Sequence, residues 1–210
     1  MASRLVYVMD PMCSWCWGFT PVLRALLEQT ESAGVDLHLV VGGLRSERDI
    51  LDATGRERIF GYWQAVQAAT GQEFDFQNGL PAGFAYDTEP ACRALVVARE
   101  TDTESAWPLA QLIQRAFYCE GRDVTRPAVL VELAARVGLD PKIFARRFDG
   151  RLMREATMAE ISWAQNLGVT GFPTLLAERN GLLSLLTNGY QPLEKLAPLL
   201  GRWLENLAHD

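Results

Sequence analysis

The hydrophobic pattern near the N-terminus predicts a strand, a helix and a second strand. A continuous apolar run over residues 5–9 is typical of a buried strand, and apolar positions three and four residues apart predict a helix from about Ser14 to Ala33. Gly34 ends that helix, and Val35–Val41 predicts the second strand. A strand, a helix and a strand in this order form a βαβ unit with a right-handed crossover, so the two strands should be parallel.

The middle of the chain, from residue 44 to residue 168, has helical periodicity and lacks the alternation of strands. Helices are predicted at Arg56–Thr70, Thr88–Thr101, Glu104–Cys119, Arg126–Val137, Lys142–Arg147 and Arg151–Asn166. The long connector 71–87 contains four aromatic residues. We expect their packing to order the connector, which could then line a groove. The middle segment is therefore predicted to be an all-helical block.

Strand-like patterns return after Gly168. Leu175–Glu178 and Leu182–Thr187 predict two strands, and the Arg-Asn-Gly sequence between them is typical of a hairpin turn. Helical spacing from about Pro192 to Leu207 predicts a final helix with one apolar face. The predicted fold is therefore α/β, with a βαβ unit and a ββα unit (residues 1–43 and 169–210) in one domain and residues 44–168 as an inserted helical domain.

Composition and charge exclude several functional classes. The chain has 210 residues, of which 49% are hydrophobic and 22% charged, values that are ordinary for a globular protein. A net charge of −6 without a basic run argues against binding to nucleic acid or to an anionic membrane. No apolar stretch approaches the roughly 18 residues of a membrane-spanning helix. The N-terminal residues from Met1 lead directly into the first strand without an apolar signal region, so we expect a cytoplasmic protein. The pattern does not specify an oligomeric state.

The candidate chemistry lies in Cys13-Ser14-Trp15-Cys16, where the first strand gives way to the helix. Free amides and the positive end of the helix dipole at this position stabilise a thiolate. A spacing of three residues on a helical turn brings the two sulfurs within reach of each other. A zinc site would need a second ligand pair, and the remaining cysteines and histidines are not spaced to provide one. The motif therefore predicts a reversible dithiol–disulfide couple.

Three features make the chain resemble the thioredoxin-fold superfamily, and within it the DsbA-like oxidoreductases with an inserted helical domain. The Cys-x-x-Cys motif follows the first strand, the helical block separates the βαβ and ββα units, and Gly171-Phe172-Pro173-Thr174 opens the third strand. The segments 10–19 and 88–94 resemble the cytoplasmic, FrnE-like branch of these proteins. Members of that branch are commonly described as predicted protein disulfide isomerases, so the resemblance implies a thiol–disulfide oxidoreductase.

The resemblance and the helix geometry together assign roles to the site residues. Cys13, which precedes the helix, is expected to be the attacking nucleophile, and Cys16, one turn further in, is expected to resolve the mixed disulfide. The resemblance implies that Pro173 is a cis-proline and that Phe172 offers its backbone to a substrate strand. Trp15 could be an apolar platform for substrate or could simply be packed.

The same resemblance suggests which partners and cofactors to expect. Protein thiols and disulfides, or glutathione, are the expected partners, and no metal, flavin or nucleotide cofactor is implied. Ser14 and Trp15 stand where periplasmic members carry a Pro-His pair whose histidine stabilises the thiolate. We therefore expect a less oxidising couple, closer to a reductase or an isomerase.

Two other functions remain open. Kappa-type glutathione transferases and carboxychromene isomerases share the inserted helical domain and act on a small molecule beside glutathione, although they carry serine at the position of Cys13. A non-enzymatic chaperone or interaction module would keep its activity after serine replacement of both cysteines.

Other polar residues have several possible roles. Asp10 could accept a proton from Cys16 through water, or it could be a solvated turn-forming residue. Cys92 and Cys119 are predicted to be small core residues, and His38 is predicted to have a structural role.

Overall fold

The computed structural model describes residues 3–208, without the side chains of Arg48, Leu207 and Ala208. Met1, on which the expectation of a cytoplasmic protein partly depends, lies outside the described residues. In chain order, the elements are β1 (Ser3–Met9), α1 (Ser14–Thr30), β2 (Asp36–Val41), β3 (Ser46–Ile50), α2 (Ala53–Thr70), β4 (Ala85–Asp87), α3 (Glu89–Thr101), α4 (Ala106–Cys119), α5 (Pro127–Arg136), α6 (Pro141–Asp149), α7 (Arg151–Asn166), β5 (Thr174–Arg179), β6 (Leu182–Asn188) and α8 (Leu193–Ala208).

The main sheet has the strand order β2-β1-β5-β6, with β1 in the interior. β1 runs parallel to β2 and antiparallel to β5, and β6 pairs antiparallel with β5. This confirms the thioredoxin-like arrangement of a βαβ unit joined to a ββα unit. The end of β1, which leads into α1, consequently lies beside the start of β5, where Val8 pairs with Thr174.

Both faces of β1 are covered, which explains its continuous apolar sequence. Leu5, Tyr7 and Met9 belong to the large core cluster that includes α1, whereas Val6 and Val8 belong to a smaller cluster with Ala164 of α7. The large cluster continues from the sheet into α2–α6, so a single hydrophobic core joins the sheet to the inserted helices. The domain boundaries placed at residues 44 and 168 stay a prediction.

Every predicted helix is present in the described residues, although several begin or end at other residues than predicted. The prediction for α7, Arg151–Asn166, is confirmed at both ends. α2 begins at Ala53, earlier than predicted, because the carboxylate of Asp52 accepts a hydrogen bond from the amide of Gly55 at 2.7 Å. α1 ends at Thr30, and residues 31–33 form a short 3₁₀ turn instead of a further helical turn.

The prediction of an all-helical insertion is wrong in one respect. β3 and β4 form a second, two-stranded antiparallel sheet within it. Ser46–Ile50 has no apolar alternation and Ala85–Asp87 has three residues, so neither segment carries a period-2 signal. The pairing of the two segments depends on tertiary contacts, and it brings Tyr86 of β4 next to the Cys-x-x-Cys turn.

Some general features of the described residues concern membranes, metals and disulfides. Within residues 3–208 no helix is both long enough and apolar enough to cross a membrane. In the same range, no group of three or more His, Cys, Asp or Glu side chains is arranged to hold a metal ion. All four cysteines are free thiols.

Candidate functional site

Cys13 is the N-cap residue of α1, directly after the turn that ends β1. Its backbone is extended (φ −85°, ψ 116°), and its amide donates a hydrogen bond to the carbonyl oxygen of Asp10 at 3.0 Å. The first turn of α1 contains no acidic residue, so the positive end of the helix dipole is not offset there. The Cys13 side chain is 6% exposed. The Cys13 sulfur therefore lies at the rim of the core, at the N-terminus of α1.

Cys16 lies one turn further along α1 and is completely buried. Burial raises the pKa of the Cys16 thiol well above its usual value, and the neighbouring Cys13 sulfur raises it further. The backbone amide of Asp10 and the hydroxyl of Tyr7 lower the pKa of Cys16, with a smaller effect. The two cysteines thus differ as an outer and an inner thiol should.

The loop before β5 faces Cys13 from the other side. The peptide bond between Phe172 and Pro173 is cis, and the Cys13 Sγ lies 3.7 Å from the carbonyl oxygen of Phe172. The Phe172 ring lies over Gly42, where an added Cβ would be 2.0 Å from ring carbons. Glycine at position 42 therefore allows the loop to approach the end of β2. The structure brings Cys13, Phe172 and Pro173 together.

The sequence left open whether the Trp15 ring is packed or exposed as a platform for substrate, and the structure shows features of both. It is half-buried, with its ring centroid 5.6 Å from that of Tyr190, and it also lines a cavity beside Cys13. The Trp15 ring is therefore packed on one side and available to a bound molecule on the other.

A cavity of about 480 Å³ opens beside Cys13. Its walls come from the Cys-x-x-Cys turn, residues 42–45, α2, β4, the end of α7 and the loop at 169–172. The aromatic lining residues are Trp15, Tyr62, Trp63, Tyr86 and Phe172, and Arg45 contributes a positive charge. The Arg45 guanidinium lies 5.0 Å from the Tyr86 ring centroid and pairs with Glu47 at 2.8 Å. The inserted segment thus provides one wall of the candidate site.

Asp10 is completely buried beneath the turn, so the second of the two roles left open for it, a solvated turn-forming residue, is wrong. Its carboxylate accepts hydrogen bonds from the amides of Met12 (2.8 Å) and Leu44 (2.6 Å), the hydroxyl of Thr88 (2.6 Å) and the thiol of Cys92 (3.4 Å). Burial raises the pKa of Asp10 in spite of these donors. The carboxylate thereby links the active-site turn to α3 and the loop after β2.

Several residues of the site were not identified from the sequence. The Tyr86 hydroxyl donates a hydrogen bond to the Met12 carbonyl oxygen at 2.7 Å, and Thr88 holds Asp10. Tyr86 is one of the four aromatic residues of the connector that was expected to line a groove, and it does line the cavity. The two hydrogen bonds themselves have no local signal, because each spans more than 70 residues of chain. The Gly-Gly sequence at 42–43 directly follows the predicted second strand. Glycines at such a position are a sequence signal for a close backbone approach.

The remaining cysteines and His38 lie outside the cavity lining. Cys92 is completely buried against Asp10, as predicted for a core residue. Cys119 is partly exposed, with its sulfur 3.4 Å from the Glu73 carbonyl oxygen, so the prediction of a core position does not hold for it. His38 is half-buried in β2, and burial lowers its pKa.

Comparison with known proteins identifies relatives that share this fold. The model of the DSBA-like thioredoxin domain matches residues 4–201. The crystal structure of a predicted protein disulfide isomerase from Nitrosomonas europaea is 38% identical, with a TM-score of 0.89, and the alignment covers 98% of this chain and 99% of that one. The cytosolic disulfide reductase DsbM from Pseudomonas aeruginosa is 30% identical, with a TM-score of 0.76 and coverage of 95% and 98%. A structure of DsbM with GSH has a TM-score of 0.75.

A more distant relative is the ClpXP adapter protein SpxH of Halalkalibacterium halodurans. It is 21% identical over 171 residues, which are 80% of this chain and 56% of SpxH, so the match spans little more than half of that protein. Taken with the strand order, the inserted helices and the Cys-x-x-Cys turn, the family match over almost the whole chain leads to one conclusion. This protein belongs to the family of DSBA-like thioredoxin domains.

Proposed function

We propose that this protein is a thiol–disulfide oxidoreductase in which Cys13 attacks a substrate disulfide and Cys16 resolves the mixed disulfide. The observation that carries this proposal is the contrast between the two thiols. Cys13 lies on the cavity at the N-terminus of α1, 3.7 Å from the Phe172 carbonyl oxygen, whereas Cys16 is completely buried. A substrate can reach the first sulfur directly, and only the first sulfur can reach the second.

The reaction balances with two sulfur exchanges. The Cys13 thiolate attacks one sulfur of the substrate disulfide, forms a new S–S bond, and displaces the other sulfur as a thiolate. The Cys16 thiolate then attacks the Cys13 sulfur, the enzyme disulfide forms, and the first substrate sulfur leaves. The substrate gains two electrons and two protons, and a reducing thiol returns the enzyme to its dithiol form.

The direction of electron flow is proposed to be reducing or isomerising, in the cytoplasm. The Cys13–Cys16 motif contains no positive side chain, so the thiolate is stabilised chiefly by the helix terminus, and the couple should be less oxidising than a Pro-His couple. Two relatives support this direction by name, a cytosolic disulfide reductase and a predicted disulfide isomerase.

The proposed partners are protein thiols and disulfides, or glutathione. The structure of the DsbM relative with GSH supports glutathione as a redox partner. In our proposal, the Phe172 backbone and the Trp15 ring position the substrate next to Cys13. The proposed reaction needs no metal, flavin or nucleotide.

The cavity supports a second candidate function. A volume of about 480 Å³ with an aromatic wall is large enough for a small molecule beside a thiol, as in a glutathione-dependent transferase or isomerase. A thiol at position 13, where those enzymes carry serine, favours disulfide exchange. A transferase would keep its activity in Cys16→Ser, whereas an oxidoreductase of the proposed type would stop at the mixed disulfide.

A redox titration tests the proposal. The protein is equilibrated in glutathione buffers, and the fluorescence of the tryptophans in and next to the motif, Trp15 and Trp17, is followed. We expect a reversible two-electron transition with a midpoint well below the value of about −120 mV that marks a strong oxidant. The transition should be lost in Cys13→Ser and unchanged in Cys119→Ser, a matched control on α4. A folded protein without a transition would reject the oxidoreductase and favour the glutathione-dependent transferase or the chaperone or interaction module.

A further inference from the structure

The hydroxyl of Tyr7 is an unused hydrogen-bond donor in the core. Tyr7 lies in β1, its side chain is completely buried, and its Oη has no hydrogen-bond partner. Buried polar atoms normally have partners, because leaving one unpaired destabilises the folded state. A buried hydroxyl without a partner therefore needs an explanation.

The position of Tyr7 provides one. Tyr7 belongs to the core cluster beneath α1, and its ring centroid lies 5.9 Å from that of Phe19. Phe19 follows Cys16 by three residues, so the two side chains share one face of α1. Tyr7 and Cys16 lie in the same buried cluster, and each affects the ionisation of the other: Cys16 raises the pKa of the Tyr7 phenol, and the Tyr7 hydroxyl lowers the pKa of the Cys16 thiol.

Tyr7 can only donate to this sulfur. Burial raises the pKa of the Tyr7 phenol well above its usual value, so the phenol keeps its proton throughout the pH range in which proteins are stable. The other groups acting on Cys16 come from three neighbouring segments. They are the Cys13 sulfur at the N-cap of α1, the backbone amide of Asp10, and the Tyr118 phenol on α4, which stays neutral because burial raises its pKa well above the usual value. Of these, the Cys13 sulfur disfavours a Cys16 thiolate and the amide favours it.

We propose that the Tyr7 hydroxyl donates a hydrogen bond to the Cys16 thiolate and thereby accelerates resolution of the mixed disulfide. The inference rests on the proposed function. During the step, Cys16 releases its proton to water and its thiolate attacks the Cys13 sulfur. The Cys13–Cys16 bond forms, the bond from Cys13 to the substrate breaks, and the substrate sulfur leaves with the electron pair and takes a proton from water. Tyr7 keeps its own proton.

Ellman's reagent separates the two exchanges in one experiment. One equivalent is mixed with the reduced protein in a Cys119→Ser background, which removes the partly exposed thiol. Attack by Cys13 releases one thionitrobenzoate, and attack by Cys16 on the resulting mixed disulfide releases the second. The two rates are measured between about pH 6 and pH 10 by stopped-flow absorbance.

In Tyr7→Phe, we expect an unchanged first release and a second release about threefold slower at neutral pH. If the hydrogen bond raises the thiolate fraction about tenfold, its loss lowers that fraction about tenfold, while the more basic thiolate becomes about threefold more nucleophilic. The pH midpoint of the second release should also move upward.

Tyr118→Phe is the matched control, because Tyr118 is equally buried and its hydroxyl also lacks a partner. It should leave both releases unchanged. The inference is overturned if Tyr7→Phe resolves the mixed disulfide at the original rate and pH midpoint, or if Tyr118→Phe slows it equally. Absence of any first release from the unsubstituted protein would instead overturn the proposed function.

Discussion

Two polar groups are buried beneath the Cys-x-x-Cys turn, and they differ in their hydrogen bonding. The Asp10 carboxylate has four hydrogen-bond donors, whereas the Tyr7 hydroxyl has no partner. Both side chains are completely buried. The difference teaches that burial alone does not indicate the role of a polar side chain. The partners of Asp10 make it part of the framework, and the free donor of Tyr7 remains available to a charge that arises on Cys16.

The largest expected effect comes from removing the framework group. Asp10→Ala leaves the amides of Met12 and Leu44 and the Thr88 hydroxyl without their acceptor, and should lower the free energy of unfolding by about 3 kcal/mol. Tyr7→Phe removes an oxygen that has no partner, and should change it by less than about 1 kcal/mol. Urea unfolding of both variants measures the contrast. Equal destabilisation would contradict it.

A second prediction concerns the loop at Phe172, which faces Cys13 from the other side. This loop is positioned by the packing of the Phe172 ring on Gly42, whereas Asp10 is positioned by hydrogen bonds. In Gly42→Ala, the new Cβ would lie 2.0 Å from the Phe172 ring, so the loop at Phe172 must move. We expect a loss of about 2 kcal/mol in unfolding free energy and a slower first release from Ellman's reagent. Gly61→Ala on α2 is the control, since its Cβ meets no atom within 4 Å and should be slightly stabilising. An unchanged stability of Gly42→Ala would show that the Phe172 ring can move at little cost.

The pH dependence of the unfolding free energy should also distinguish Asp10 from Tyr7, and Asp10→Asn tests this. Burial raises the pKa of Asp10 in the folded state, whereas the unfolded chain ionises near 3.9. As the pH rises above about 4, the unfolded state loses this proton first, so the unsubstituted protein loses stability relative to the variant. The penalty of Asp10→Asn, about 1–2 kcal/mol at neutral pH, should therefore be larger near pH 4.

Urea unfolding at several pH values measures this penalty. The difference between the unsubstituted protein and Tyr7→Phe should stay constant over the same range, because the phenol does not titrate there. A penalty of Asp10→Asn that grows with pH would contradict the direction of the Asp10 shift.

The smallest expected effect concerns the two cysteines outside the motif. Cys92→Ala removes a completely buried side chain that donates to Asp10 and should cost about 1 kcal/mol. Cys119→Ala, at a partly exposed position, should cost less than about 0.5 kcal/mol. Urea unfolding measures both, and the reverse order would show that Cys92 contributes little to the Asp10 framework.

The local elements could be predicted well, and the two main failures, the second sheet and the environment of Asp10, share one cause. The bounds of α7 and the hairpin between β5 and β6 follow from periodicity and turn residues that lie close together in the chain. β3 and β4 could not be predicted, since each gains its strand conformation from a partner more than 30 residues away. The environment of Asp10 failed for the same reason, because Thr88 and Cys92 are 78 and 82 residues distant.

The sequence by itself determined the order of elements, the Cys-x-x-Cys spacing at a helix start and the family resemblance, because all of these are patterns along the chain. Tertiary structure alone decided which buried polar groups have partners. The Asp10 carboxylate meets its donors from α3 and the loop after β2, and the Tyr7 hydroxyl meets Cys16 without another partner. The physical reason is that hydrogen bonding and burial depend on groups brought together in space, for which the local sequence carries no period and no motif.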